Sequence, residues 1–129
     1  MKRFILGIIL ALTMSLSGFA QSINFKATSV AIKEVGYQWS DWVSCNILIT
    51  FNLDKDKVYI FSKSPQIYKV LTSGEEFIDS SGGEQVKYRV IDQDDDIGTM
   101  RLRVETNGNS QIYIDFADVS WVYNVKRLN

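Results

Sequence analysis

The sequence predicts an all-β domain: an antiparallel meander of about seven or eight strands, closed or partly closed into a small barrel, with a two-sheet sandwich as the alternative. Three observations carry that prediction. Apolar and polar residues alternate with period two over most of the chain. The alternating segments are rich in β-branched and aromatic residues, which suit a pleated sheet. No segment shows the apolar spacing of a long amphipathic helix.

The clearest stretch is 43–61. Val43, Cys45, Ile47, Ile49, Phe51 and Leu53 share one parity, and Ser44, Asn46, Thr50 and Asn52 dominate the other. Asp54-Lys55-Asp56-Lys57 then makes a polar turn before Val58-Tyr59-Ile60-Phe61 resumes, so the whole reads as a β-hairpin at the centre of the sheet. Upstream, Ile23, Phe25 and Ala27 are odd whereas Val30 and Ile32 are even. One extra residue near Thr28-Ser29 explains the change, and a bulge is expected there. Gly36 ends that strand, and Tyr37-Gln38-Trp39-Ser40-Asp41-Trp42 forms an aromatic-rich loop.

Beyond the hairpin, Ser64-Pro65 marks an edge or bend, where a bare strand edge could pair with another chain. Residues 66–72 read as a strand, and 73–84, rich in Gly, Ser and acid, as a surface excursion. Three further faces follow: Val86, Tyr88 and Val90; Met100, Leu102 and Val104; Ile112, Ile114 and Phe116. A three-residue loop at Asn107-Gly108-Asn109 pairs Val104 with Ile112, Leu102 with Ile114, Met100 with Phe116 and Arg101 with Asp115, matching inward to inward. After a parity change at Ala117-Asp118, the series Val119, Trp121, Tyr123 and Val125 makes the last strand.

Met1-Lys2-Arg3, an apolar run to Leu16 and Ser17-Gly18-Phe19-Ala20 have the form of a secretory signal peptide, with cleavage after Ala20. The apolar run is shorter than the roughly 18 residues of a spanning helix, so no membrane span is expected after cleavage. Residues 21–129 then form a single β domain of the exported protein, periplasmic or extracellular. Without Lys2 and Arg3, twelve basic residues face fifteen acidic ones, which gives no general reason to bind nucleic acid.

Cys45 is the only cysteine, so no internal disulfide forms, and its parity makes it a small buried hydrophobe. The chain contains no histidine. That removes the usual general base at neutral pH, the Ser-His and Cys-His nucleophilic pairs, and an ordinary zinc site. An enzyme is not expected, and no cofactor is implied.

Two constellations remain. Asp92, Asp94 and Asp96 alternate ahead of Gly98 in a pattern that could gather carboxylates around a hard cation such as calcium, but the match to a calcium-binding loop is poor and an acidic turn between two strands is the preferred reading of the same residues. Tyr37, Trp39, Trp42, Trp121 and Tyr123 could form an aromatic ligand-binding platform, or plug an end of the core. Lys87, Arg89, Arg101 and Arg103 lie on outward faces close to acids, and read as a solvated, neutralised surface.

Trp39-Ser40-Asp41-Trp42 leading through Cys45-Asn46-Ile47-Leu48-Ile49, then Ile60-Phe61-Ser62-Lys63-Ser64-Pro65-Gln66, and the ending Tyr113-Ile114-Asp115-Phe116-Ala117-Asp118-Val119-Ser120-Trp121-Val122-Tyr123-Asn124, resemble an uncharacterised family of short exported β-rich proteins from gut bacteria and their phages. The resemblance covers most of the mature chain. It implies a bacterial or phage setting, and transfers no activity or site residue. The expected function is binding by a non-catalytic domain, with a protein or glycan as partner. The alternative is a small lipocalin-like carrier of an apolar ligand. Large inward residues such as Ile47, Ile49, Phe51, Met100, Leu102 and Phe116 favour a filled barrel over a hollow one.

Overall fold

A computed structural model describes residues 22–107 and 109–128; the expected leader falls outside them. Eight antiparallel strands form a closed barrel in sequence order. They are β1 (Ser22–Glu34), β2 (Val43–Asn52), β3 (Lys57–Ile60), β4 (Gln66–Ile78), β5 (Glu84–Ile91), β6 (Ile97–Val104), β7 (Ser110–Asp115) and β8 (Val119–Arg127). β1 closes the ring by pairing with both β2 and β8. The closed barrel, rather than the sandwich, is the architecture.

Period-two alternation positions the core. Ile49, Ile60, Met100, Ile112 and Ile114 are completely buried across the middle of the barrel. Phe25, Phe51 and Tyr88 pack together towards the end holding the β2–β3 turn, with Phe25 and Phe51 edge to face at 5.7 Å. Tyr68, Phe116 and Trp121 fill the other end, with Phe116 and Trp121 stacked at 5.9 Å. The interior is filled by side chains, as an eight-strand barrel permits.

The parity change in β1 is a bulge. The register shifts between Ala27 and Ser29 against both neighbours. Ala27 stands opposite Val125 and Val30 opposite Tyr123, so three steps along β1 match two along β8. Against β2, the same three steps match four, from Ile47 to Val43. Cys45 and Asn46 fall outside the β1 register, so on that side the extra residue lies in β2.

Two expectations are corrected. The segment 73–84 is mostly ladder: β4 runs to Ile78 with shifts near Thr72 and Glu75, and only 79–83 form a turn. Polar composition misled there because Glu75 opposite Lys87 and Glu76 opposite Val86 still pair through their backbones. The β6–β7 register is also two residues away from the one expected. Leu102 pairs with Ile112, Met100 with Ile114 and Arg101 with Tyr113, because the connection is five residues long. Glu105 N donates to Asn109 O at 2.8 Å, and Asn109 N donates to the Asn107 side chain, which closes the longer loop. A slip of two keeps every side chain on its face, so alternation alone could not choose between the registers.

Gly98 shows how tightly one corner is built. A Cβ there would lie 2.7 Å from Asp115 O and 2.8 Å from the Phe116 ring. Gly98→Val is therefore expected to cost about 1–3 kcal/mol through overpacking, read as a lower urea midpoint with unchanged slope.

Candidate functional site

The β1–β2, β3–β4, β5–β6 and β7–β8 connections gather at one end of the barrel. Val35 N donates to Asp118 O, and Ser40 N to Ile32 O, which folds the 35–42 loop back along β1. Ile32 N in turn donates to the Ser40 hydroxyl at 2.9 Å. Trp39 reaches across to meet the Tyr113 ring edge-on at 6.4 Å. The row beneath is Ala31, Val122 and Tyr113, all outward by register. Ala31 and Val122 are nonetheless buried, which is what a loop laid over the outer wall produces.

This end carries an unusual amount of apolar surface. Ile32, Val35, Tyr37, Trp39, Trp42, Val43, Leu48 and Phe61 are all large, hydrophobic and exposed. Phe61 stacks on Tyr59 with the rings 13° from parallel. Between β1, β2 and β4 lies a concavity of about 470 Å³ lined by Val30, Ala31, Ile32, Ser40, Val43, Gln66, Trp121 and Tyr123. A smaller one of about 230 Å³ adjoins it, sharing Gln66 and Trp121 and reaching Asp92 and Asp94.

The floor of this cup is polar only at a few atoms. Tyr68 Oη donates to Gln66 Oε1 at 2.5 Å, and Gln66 Nε2 donates to the Ser62 hydroxyl. Burial pushes the Tyr68 hydroxyl well above the usual phenol range, with Tyr123 and Asp92 adding to the effect. Burial also raises the Tyr123 hydroxyl, against opposing hydrogen-bond contributions from Gln66 and Trp121. Trp121 Nε1 is withdrawn from the surface, and among the described residues no acceptor meets it in ordinary hydrogen-bond geometry. These phenols stay neutral at physiological pH and present hydroxyls to the two concavities.

The five aromatic candidates are divided by the fold. Tyr123 is buried in the core and Trp121 is half-buried against Phe116, so these two plug the barrel end. Tyr37, Trp39 and Trp42 sit on the loop outside it. A single five-ring platform is not formed; the plug reading holds for two residues and the exposed reading for three.

The aspartates are not gathered for a cation. Asp92 Oδ1 already accepts Asp94 N and Asp96 N at 2.9 Å each, and Asp92 N donates to Asp96 O, so its carboxylate builds the β5–β6 turn. Asp94 and Asp96 are exposed, and no group of three or more candidate ligands occurs among the described residues. Alternating spacing placed the carboxylates in one turn, but turn geometry points them apart.

Cys45 is half-buried against the core, and its thiol donates to Ala27 O at 3.6 Å. Burial raises the thiol pKa, the opposite of what a nucleophile needs.

The outward arginines are engaged as expected. Arg101 pairs with Asp115 at 2.8 Å and lies over the Tyr113 ring at 4.1 Å. Arg103 pairs with Asp79 at 2.7 Å and with Glu105 at 3.1 Å. The lysines on the other wall escaped the sequence reading. Lys26 stands directly opposite Lys126, and Lys57 opposite Lys69, both on the outer face. Like charges placed this way disfavour the ladder slightly. Their signal lies in pairing between distant segments, which only the register reveals.

No family model, curated protein or solved structure matches the chain.

Proposed function

We propose that the chain is an exported, non-catalytic β-barrel that works by binding, and that its partner is a protein. The reading rests on one observation: a filled barrel that exposes eight large apolar side chains along 32–48 and at Phe61, around an apolar cup. Two of these, Ile32 and Val43, line the cup itself, and apolar surface exposed in that number marks a site that a partner covers. The aliphatic lining of the cup, Val30, Ile32 and Val43, suits an apolar side chain better than a sugar, which calls for planar polar contacts. The resemblance noted above is consistent with a bacterial or phage setting, and the basic, apolar leader with export.

A carrier of an apolar small molecule is the second reading, favoured by the volume of the cup. Depth weighs against it, because Ile49, Ile60 and Ile114 fill the space below. The test compares the mature protein with a Trp42→Ser, Phe61→Ser double variant on a peptide array, a glycan array and a fatty-acid dye-displacement assay. Polypeptide binding is expected, weakened at least tenfold in the variant at an unchanged melting temperature. Saturable submicromolar displacement by fatty acids without any peptide binding would transfer the assignment to the carrier.

A further inference from the structure

β2 has ten residues but β3 only four, and their register covers no more than Ile49 to Asn52. The last contact between them is Phe61 N donating to Leu48 O at 2.9 Å. Past that point the chain leaves the sheet. The Ser62 hydroxyl donates to Ser64 O at 2.7 Å, and Pro65, which has no N–H, follows before β4 starts at Gln66. Residues 43–47 of β2 therefore have a neighbouring strand, β1, on one side only, and its register takes up Val43, Ser44 and Ile47.

Leu48 turns its carbonyl to the β3 side, and beyond it the register shift between Ile47 and Ser44 leaves Cys45 and Asn46 outside the β1 register on that stretch of edge. No strand lies there among the described residues, and Ser44, Asn46 and Leu48 are all exposed. About five residues of open edge remain, roughly 16 Å at the usual rise per residue. The sequence there, Val43-Ser44-Cys45-Asn46-Ile47-Leu48, carries neither charge nor proline, the ordinary protections of a bare edge. The register shift opposite Thr28 interrupts it.

The second observation is what lies under that edge. Val43, on the inward parity of β2, and Gln66, at the start of β4, line the same cup of about 470 Å³. The cup thus opens into the gap between β2 and β4, where β3 would run if it continued. A chain occupying that gap would place alternate side chains into the cup and the others over Leu48 and Phe61. Unsatisfied ladder groups beside a pocket at side-chain spacing are the elements of strand-addition recognition.

Charge narrows the occupant. The outward ladder positions of β1, β2 and β3 carry Lys26, Lys33 and Lys57 and no carboxylate, and none of these lysines is among the salt bridges of the described residues. We infer that an extended segment of a partner protein adds as a strand to β2 at residues 43–47, with apolar side chains entering the cup at alternate positions and acidic ones facing outward. This inference rests on the protein-binding reading above and specifies its mode.

The probe is an array of seven-residue peptides in which valine, leucine or phenylalanine alternates with glutamate, beside peptides of the same composition in block order. The best alternating sequence is labelled and titrated by fluorescence anisotropy against the wild type, Asn46→Pro and Ser44→Pro. Asn46 lies outside the β1 register, so proline there replaces no paired ladder position, and Ser44, opposite Ser29, is the second site. The two variants are alternatives in case one fails to fold, as judged by thermal melting.

Alternating peptides are expected to bind, block-order peptides at least tenfold more weakly, and the proline variants at least tenfold more weakly at a similar melting temperature. Methylating alternate amides of the peptide should cause the same loss in one register and little in the other. Unchanged affinity in both folded proline variants, with loss in the Trp42→Ser, Phe61→Ser variant, would overturn strand addition and leave protein binding standing. Failure of every peptide, with glycans or fatty acids binding instead, would overturn both. A sedimentation profile showing a wild-type dimer that Asn46→Pro dissociates would give the edge to a second copy of this chain and overturn the partner assignment.

Discussion

Ile114→Ala is expected to destabilise the barrel by about 3–4 kcal/mol, and to lower its melting temperature by roughly 10–20 °C. Ile114 is completely buried, stands between Met100 on β6 and Trp121 on β8, and belongs to the layer that fills the middle of the barrel. Truncation removes three carbons from a site walled by strands on both sides, so neighbours can close the void only by distorting the ladder. The loss comes from lost transfer energy and from the residual cavity. Urea denaturation followed by tryptophan emission measures it. A change below about 1 kcal/mol would mean that the barrel interior collapses freely, and would revive the hollow-carrier reading.

Arg103→Ala is the second large effect, expected at about 2–3 kcal/mol because several charge-assisted hydrogen bonds are lost together. Arg103 Nε donates to Asp79 Oδ2 at 2.7 Å, and Arg103 Nη2 donates to the Ser81 hydroxyl at 2.8 Å. Asp79 Oδ1 also accepts Ser81 N, the Ser81 hydroxyl and Gly83 N, while its Oδ2 accepts Gln85 Nε2. A Cβ on Gly83 would sit 2.7 Å from the guanidinium, so the β4–β5 turn is moulded on this arginine. Gly82, at φ +86°, makes the left-handed step that closes the turn.

The same network predicts a pH dependence. Arg103 first, then Gln85, hold the Asp79 carboxyl well below the usual carboxylate range. The unfolded chain then binds this proton more readily than the folded one, so stability rises with pH through the transition. The contribution of Asp79 is complete above about pH 4 and is lost as the pH falls below that value towards the folded pKa. Asp79→Asn should therefore lower stability at pH 7 and flatten its decline between pH 4 and 2. An unaltered slope in chemical denaturation at those pH values would show that other carboxylates govern acid unfolding.

Much of the fold could be read from the residues because it depends on parity. The inward set Ile49, Phe51, Met100, Leu102, Ile112 and Ile114, the hairpin around 54–56, and the bulge after Ala27 all follow from which neighbours alternate. The β6–β7 register was missed by two residues, since Met100 fits Ile114 as well as Phe116 on the same face. β4 was cut short because Glu75 and Glu76 looked like loop residues. Of the candidate site, aromatic type alone does not separate Tyr37, Trp39 and Trp42, which are exposed on the loop, from Tyr123, which is buried in the core.

The sequence by itself determined the strand count, the filled interior and the chemistry withheld by a chain without histidine. Those are local or compositional properties, set by each residue and its near neighbours. Ring closure, the gap left where β3 stops short of β2, the cup beneath it and the facing lysine pairs were decided only in three dimensions. They depend on which distant strands lie side by side and on how far each ladder extends, and backbone pairing between remote segments leaves no mark on either strand alone.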